Sequence, residues 1–363
     1  MKQRETLLNT VVNKSENQIM KKIFLVLLFV PLAAILFSSF TCSTPNTPDK
    51  KDLFVAFYNT ENFFDTINEP NVQDEEFLPD AKAPWTSSRY ETKVNHIAKV
   101  IADMNGGTGP DLIGLSEIEN DIPLKDLITD PQLVQKNYAI VHYESPDVRG
   151  IDVALLYKQD VVKVLSSETL PVKIDSIPDF KTRDILMVKM QQGSKVFYVF
   201  VNHWPSRRGG TEVSEAKRCA AAQVLKNKVD EIWKQDSKAR IIIMGDLNDD
   251  PINKSVNTVL DAHDNLDDSP PFLFNFGSTI KDSTGSIFYK GLWDLFDQII
   301  VSNNFALSCS TCTQPCGFVV DTSSYLLQKN KYNEMEPFRT WAGTNYLGGY
   351  SDHLPVTCIL HWK

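Results

Sequence analysis

Apolar positions along the chain fall mostly into short runs that end on polar residues. Nine such runs predict strands: Phe54–Tyr58, Leu112–Ser116, Ala139–His142, Val153–Tyr157, Leu186–Met190, Val196–Val201, Ile241–Met244, Gln298–Val301 and Val356–Leu360. Two stretches carry helical spacing instead. Ser88-x-x-Glu91 reads as a capping box ahead of Val94, Ile97, Ala98 and Ile101, whose i, i+3, i+4, i+7 pattern makes one helix face. A second helix is predicted from Ser214 to Lys234, with Ala220, Val224, Val229 and Trp233 available for burial. Some strands follow strands and others follow helices, so the sheets should be mixed. An α/β sandwich of two mixed sheets packed face to face, with helices outside, is the economical arrangement. Residues 264–290 and 304–336 are polar and rich in Ser, Pro and Asn, and read as surface loops over one end.

The N-terminus follows a different pattern. Met20-Lys21-Lys22 opens a basic segment, Ile23–Phe40 is almost wholly apolar, and Thr41-Cys42 closes it. That is the pattern of an export signal. The rival is a membrane span, because the run approaches the roughly 20 residues a span needs. The small residues Ser38, Ser39 and Thr41, followed by a lone cysteine, favour the signal. The polar stretch Met1–Ile19 suits neither reading and points to Met20 as the start. Cys42, followed by Ser43-Thr44-Pro45-Asn46-Thr47-Pro48, resembles a bacterial lipoprotein cleavage site, with Thr41 in place of the usual smaller residue. Lipidation there would tether an exported domain to a membrane, facing the periplasm or the cell surface. The expected organisation is therefore a signal with its extension over 1–41, a tether over 42–52 and one catalytic domain over 53–363.

Charge narrows the partners. The full chain of 363 residues carries −9, and residues 1–41 hold five basic against two acidic side chains, so the chain from Cys42 carries −12. Tight, non-specific nucleic-acid binding through net charge is disfavoured, although a locally positive cleft is not. Past Cys42 stand Cys219, Cys309, Cys312, Cys316 and Cys358. Three thiols in Cys309-x-x-Cys312-x-x-x-Cys316 make a weak metal signal; a disulfide in an exported loop is the simpler expectation, with connectivity open.

The candidate chemistry sits where the runs end. Asn59 and Glu61 follow the first run, Glu117 the second, and His203 the run at Val196–Val201. Asp246 and Asn248 follow Ile241–Met244, Asp297 opens Gln298–Val301, and Ser351-Asp352-His353 precedes the last strand. A sandwich can bring such strand ends to one edge, and carboxylates, amides and imidazoles gathered there suit a hard divalent cation and proton transfer. Each has a plainer reading: a solvated carboxylate for Glu117, an Asx turn for Asn59, ordinary turn chemistry for Asp246-Leu247-Asn248, a core histidine for His353.

Taken together, Tyr58-Asn59-Thr60-Glu61-Asn62, Ser116-Glu117, Asn202-His203-Trp204, Gly245-Asp246-Leu247-Asn248, Asp297 and Ser351-Asp352-His353-Leu354-Pro355-Val356 resemble the endonuclease/exonuclease/phosphatase superfamily, deoxyribonuclease I-like, from about Leu53 to Trp362. The resemblance implies a four-layer α/β sandwich and Mg²⁺- or Mn²⁺-dependent hydrolysis of phosphate esters. It implies metal binding by Glu117, with Asn59, Asp352 and Glu61 as further ligands. It makes His353 the base that activates water, oriented by Asp297, with Asp246 positioning the water or protonating the leaving oxygen. His203 and Asn248 would hold phosphate oxygens, joined by Arg183 and by the loop arginines Arg207 and Arg208.

Departures from the deoxyribonuclease pattern put duplex recognition in doubt. Glu119 stands where that branch has a DNA-contacting arginine, and Arg149 falls near the place of its DNA-contacting tyrosine. Three readings follow: an exported nuclease acting on nucleic acid, which heads the expectation; a phosphatase or phosphodiesterase of lipid headgroups or small esters; and a surface lipoprotein that only binds. No protein partner can be inferred from the sequence.

Overall fold

The run Ile241-Ile242-Ile243-Met244 is buried on both sides, so strand alternation sends its residues into two different cores. Ile241 and Ile243 pack with Ala221, Leu225, Val229 and Trp233 of a long helix, whereas Ile242 and Met244 join Val199, Val201, Ile299 and Val301 against the opposite sheet. Continuous apolar runs of this kind mark central strands covered on both faces. Burying each such side chain contributes about 1.5–3 kcal/mol. In this computed structural model, residues 52–174, 177–266, 269–280, 285–310 and 317–362 are described, without the side chains of 307–310. Lys50–Lys363 form one compact unit.

One sheet holds β1 (Asp52–Phe63), β2 (Leu112–Ile118), β3 (Tyr138–His142), β4 (Asp152–Lys158), β14 (Val319–Val320) and β19 (Val356–His361), in the order β14-β19-β1-β2-β4-β3. The second holds β5 (Lys163–Leu170), β6 (Ile185–Gln192), β7 (Lys195–His203), β8 (Arg240–Asp246), β9 (Ala262–His263), β10 (Leu273–Asn275) and β13 (Asp297–Ser302), in the order β5-β6-β7-β8-β13-β10-β9. Three hairpins, β11 (Ile287–Tyr289) with β12 (Leu292–Asp294), β15 (Leu327–Lys329) with β16 (Met335–Pro337), and β17 (Trp341–Ala342) with β18 (Asn345–Tyr346), stand beside them. Parallel β1–β2 and β7–β8 pairs sit among antiparallel ones, so both sheets are mixed. Helices α1 (Ser87–Asp103) and α2 (Asp121–Thr129) cover the first sheet, and α3 (Thr211–Gln235) covers the second. The expected four-layer α/β sandwich is the observed fold. The sheets approach closely at Gly114, where an added Cβ would lie 2.8 Å from Met244 Sδ and 3.0 Å from Val201 Cγ1.

All nine predicted strands lie within observed ones. Several local expectations shift. Helix α1 starts at Ser87, and its cap is Thr86, whose side chain accepts from the Arg89 amide, rather than Ser88. In α3 the buried stripe is Ser214, Arg218, Ala221, Ala222, Leu225, Val229, Ile232 and Trp233, so Ala220 and Val224 are only half-buried. β5 is an added edge strand, exposed enough that Leu165 stays 47% accessible; an edge needs no apolar face to pair. Residues 264–290 are not all surface loop, because β10 lies buried beside β13. Short α4 (Asn303–Ser310) likewise interrupts the second loop and buries Phe305 and Ala306.

Residues 1–51, on which the expected export signal and the lipidation expected at Cys42 fall, lie outside the described residues, as do the side chains of Cys309, Cys312 and Cys316. Cys219 and Cys358 are free thiols. Among the described residues no helix is long and apolar enough to cross a membrane.

Candidate active site

Three neighbouring strands of the second sheet end in one transverse row. His203 pairs in register with Asp246 across the parallel β7–β8 ladder, and Asp297 pairs with Asp246 across the antiparallel β8–β13 ladder. Parity places all three on the side of the sheet that carries Val201, Met244 and Ile299, so the row faces the other sheet. From that sheet comes Asn59 of β1, where its pairing with β2 begins to slip, and its Nδ2 donates to Asp246 Oδ2 at 3.0 Å. The site thus lies where the two sheets meet.

Glu117 needs a different device. Plain alternation from Ser116 would turn it away, but its φ is 62° and the β2–β4 register slips between Ser116 and Ile118. Such a bulge re-aims one side chain. The carboxylate is then held by the Asn62 amide, which donates to Oε2 at 2.8 Å, while Oε1 lies 4.0 Å from His203 Nε2. Glu61, Asn62 and Asn248 also have φ between 50° and 52°. Left-handed backbone at non-glycine residues costs about 1–3 kcal/mol each and persists where the surrounding structure over-determines it.

At the centre, His353 Nδ1 and Asp297 Oδ2 are 2.6 Å apart. Ser351 holds the segment in place: its Oγ donates to Asn59 O at 2.7 Å and accepts from the His353 amide at 3.1 Å. The imidazole Nε2 of His353 faces Asp246 Oδ2 at 3.8 Å, and His203 Nε2 faces the same oxygen at 3.6 Å. Burial would lower the His353 pKa, but Asp297 and Asp246 outweigh it and hold it well above its ordinary value. Burial and the Arg183 charge push His203 well below its own. Asp246, buried and close to Asp297, is raised to about 7 despite His353 and its hydrogen bonds. Two imidazoles against one carboxylate are thereby driven to opposite protonation states, which is how acid and base roles separate.

The remaining expected residues fall in varied places. Asn248 is not delivered by strand alternation; its amide N–H donates to Asp246 Oδ1 at 2.9 Å in a turn, and its Nδ2 donates to Trp204 O at 2.9 Å. Trp204 O also accepts from Arg183 Nη2 at 2.6 Å, and Arg183 Nη1 pairs with Asp147 at 3.0 Å. Arg207 is clamped by Asn248 O, Asp250, Asn253 and the Phe296 ring, and Arg208 is exposed. Glu61 accepts from the Thr340 and Trp341 amides at 2.6 and 3.0 Å, so both its oxygens brace a loop. Asp352 is half-buried with Arg339 at 3.7 Å.

Two supporting residues escaped the sequence reading. Ser351 sat inside the terminal motif but had been given no role. Lys93 is buried on α1 and donates to Thr340 Oγ1 and Tyr350 O, both at 2.6 Å. A lysine four residues before Ile97, on the apolar stripe, was the available signal.

Among the described residues two groups of side chains converge closely enough for a metal: Asp246, Asp297 and His353, and, apart from the row, His142, Glu144 and Asp152. In the row, Glu117 Oε1 and Asp246 Oδ2 lie within 4.0 Å of the same His203 nitrogen. Hard oxygen donors set so close, with few cations to balance them, fit a divalent cation. In the second group His142 is buried between Asp121 at 3.0 Å and Asp152 at 3.2 Å. Burial opposes its charge, yet Asp152, Glu144 and Asp121 raise its pKa overall. A raised folded pKa stabilises the fold below the unfolded value near 6.5 and loses that contribution as pH rises through the folded value. His142→Gln should therefore lower the melting temperature more at pH 5.5 than at pH 9; equal losses by calorimetry would remove the ion pair from the account.

The profile described as Endonuclease/Exonuclease/phosphatase family matches residues 54–362. No curated protein matches the chain. Among solved structures, a truncated TDP2 of Caenorhabditis elegans is similar with a TM-score of 0.53 at 15% identity, covering 85% of this chain and 98% of that one. A mannosyl-6-phosphatase of Bacteroides thetaiotaomicron gives 0.53 at 16%, covering 85% and 100%. The human Nocturnin catalytic domain, with bound sulfate, gives 0.50 at 16%, covering 86% and 96%. At such identities the likeness is one of fold.

Proposed function

The chain belongs to the endonuclease/exonuclease/phosphatase family, an enzyme family of divalent-metal-dependent phosphoester hydrolases, and from that premise we propose that it hydrolyses small phosphate esters one phosphate at a time. One observation carries this reading over nucleic acid. The guanidinium groups of Arg183 and Arg207, expected to hold phosphate oxygens, are engaged by Asp147, Asp249 and Asp250. A chain of net charge −9 then has little to offer a run of phosphates. Similarity to a phosphatase among the solved structures agrees with it.

Mg²⁺ or Mn²⁺ is the ion proposed, held by Glu117 with Asn59 and Asp246 beside it; when bound it supplies positive charge to the phosphate oxygens and offsets the negative charge around Asp246. The protein's own groups do the rest. Asp297 fixes the ring of His353 so that Nε2 faces Asp246 Oδ2 at 3.8 Å. In its neutral form, which the positive charge of a cation bound beside Asp246 would favour against the raising effect of the carboxylates, His353 takes the proton of the attacking water, and Asp297 stabilises the imidazolium formed. His203, neutral and buried, donates a ring N–H to a non-bridging oxygen, and the Nδ2 of Asn248 stands beside Trp204 O.

A nuclease remains the second reading, favoured by His203 and His353 flanking Asp246, the two-histidine arrangement of the deoxyribonuclease branch. The test is direct. Purified protein with Mg²⁺ or Mn²⁺ should turn over p-nitrophenyl phosphate or another small ester, fall silent in EDTA, and cleave single- or double-stranded DNA far more slowly. Nucleic acid as the faster substrate, at matched phosphate concentration, would return the protein to the nuclease branch.

A further inference from the structure

Beside the site lies a cavity of about 440 Å³ walled by Asn62, Glu75, Glu76, Phe77, Lys82 and Trp341. Its link to the chemistry is one residue long, because the Asn62 that lines it also donates its amide to Glu117. We propose that this cavity receives the leaving group of the substrate, and that the group is a neutral, polyhydroxylated ring: the substrate is a monosaccharide phosphate. This rests on the reading of the site as a small-ester hydrolase and deepens it.

The walls are built rather than incidental. Trp341 donates its amide to Glu61, and its ring packs on Tyr346 at 5.3 Å and on Trp85 at 5.9 Å, with the Arg89 guanidinium 5.6 Å away. Phe77 stacks on the buried Phe64 ring at 4.0 Å and 6°. A platform held this firmly loses little entropy when something stacks on it. Glu75 and Glu76 offer acceptors only, Lys82 donors only, and Asn62 both. Sugar hydroxyls, which donate and accept at once, answer all three, while the C–H face of a pyranose covers an aromatic ring. Two carboxylates against one ammonium leave the walls negative, which repels a further phosphate and so excludes a longer polynucleotide. Size agrees: the volume lies near the lower bound for ligand sites and suits one ring with water.

The test measures binding apart from turnover. His353→Ala protein with Mg²⁺ would be titrated with the 6-phosphates of glucose, mannose and galactose, with AMP, and with ethyl phosphate, by isothermal titration calorimetry. At least one hexose phosphate should bind tenfold or more tighter than ethyl phosphate and tighter than AMP. Trp341→Ala, and Ala83→Trp filling the cavity from the opposite wall, should each shrink that preference to within about twofold. Equal affinity for every hexose phosphate and ethyl phosphate, a preference for AMP, or a preference untouched by both variants would overturn the proposal. Wild-type hydrolysis of ethyl or p-nitrophenyl phosphate would survive those outcomes, so the two readings fail separately.

Discussion

His353→Ala is expected to lower kcat by roughly 10³ to 10⁴ while KM changes little, because a positioned acid–base group contributes on that scale. The expectation follows from contact, since the ring lies between Asp297 and Asp246 and is aimed by the first at the second. Truncation also strands a fully buried carboxylate at Asp297, a loss of about 1–3 kcal/mol. His353→Asn is therefore the companion variant: it is as inactive but keeps a donor for Asp297 and most of the thermal stability. Metal-dependent turnover within tenfold of wild type in either protein removes His353 from the mechanism.

Asp246→Asn should lower kcat by about 10³ and leave the melting temperature within a few degrees. The rate falls because one carboxylate serves Asn59, His203 and His353 together, and an amide cannot hold the charge that orders them. Stability changes little because two effects oppose. Burial has raised the acid to about 7, so its charge is a cost to the native state above the ordinary carboxylate range, and the amide removes that cost. Against this, Asn248 N–H and Asn59 Nδ2 both donate to Asp246, so one face of the new amide meets a donor. A protein that unfolds early and is inactive for that reason would show a melting temperature far below wild type, which separates damage from chemistry.

Asp246 and Asp297 were readable from sequence, and the physical reason is their setting. Strands buried on both faces must be apolar throughout, so Asp246 after Ile241–Met244 and Asp297 before Gln298–Val301 announce themselves as polar interruptions. Glu117 was identified through the order of motifs; alternation would have sent it outward, and nothing local forecasts the bulge that turns it back. The arginines failed to stand free for a different reason. Asp147 and Asp249 lie 36 and 42 positions from the residues they engage, and pairing at that range is a property of the folded chain. Glu61 is similar: its partners at Thr340 and Trp341 are 279 and 280 residues away. β5 was missed because an exposed edge strand leaves a weak hydropathy signal.

The hydrogen bond from Asn59 to Asp246 spans the gap between the sheets, with Asn59, Glu117 and His353 contributed from one side and His203, Asp246 and Asp297 gathered on the other. Turnover consequently works as an alignment gauge for the whole sandwich. A sub-ångström slide of one sheet across the other leaves every strand ladder intact and spectroscopic secondary structure unchanged, yet it pulls apart the two halves of the reaction centre. Filling or hollowing the interface around Gly114 and Met244, two to three residues below Glu117 and Asp246 on the same strands, is thus a route by which the core sets the catalytic rate.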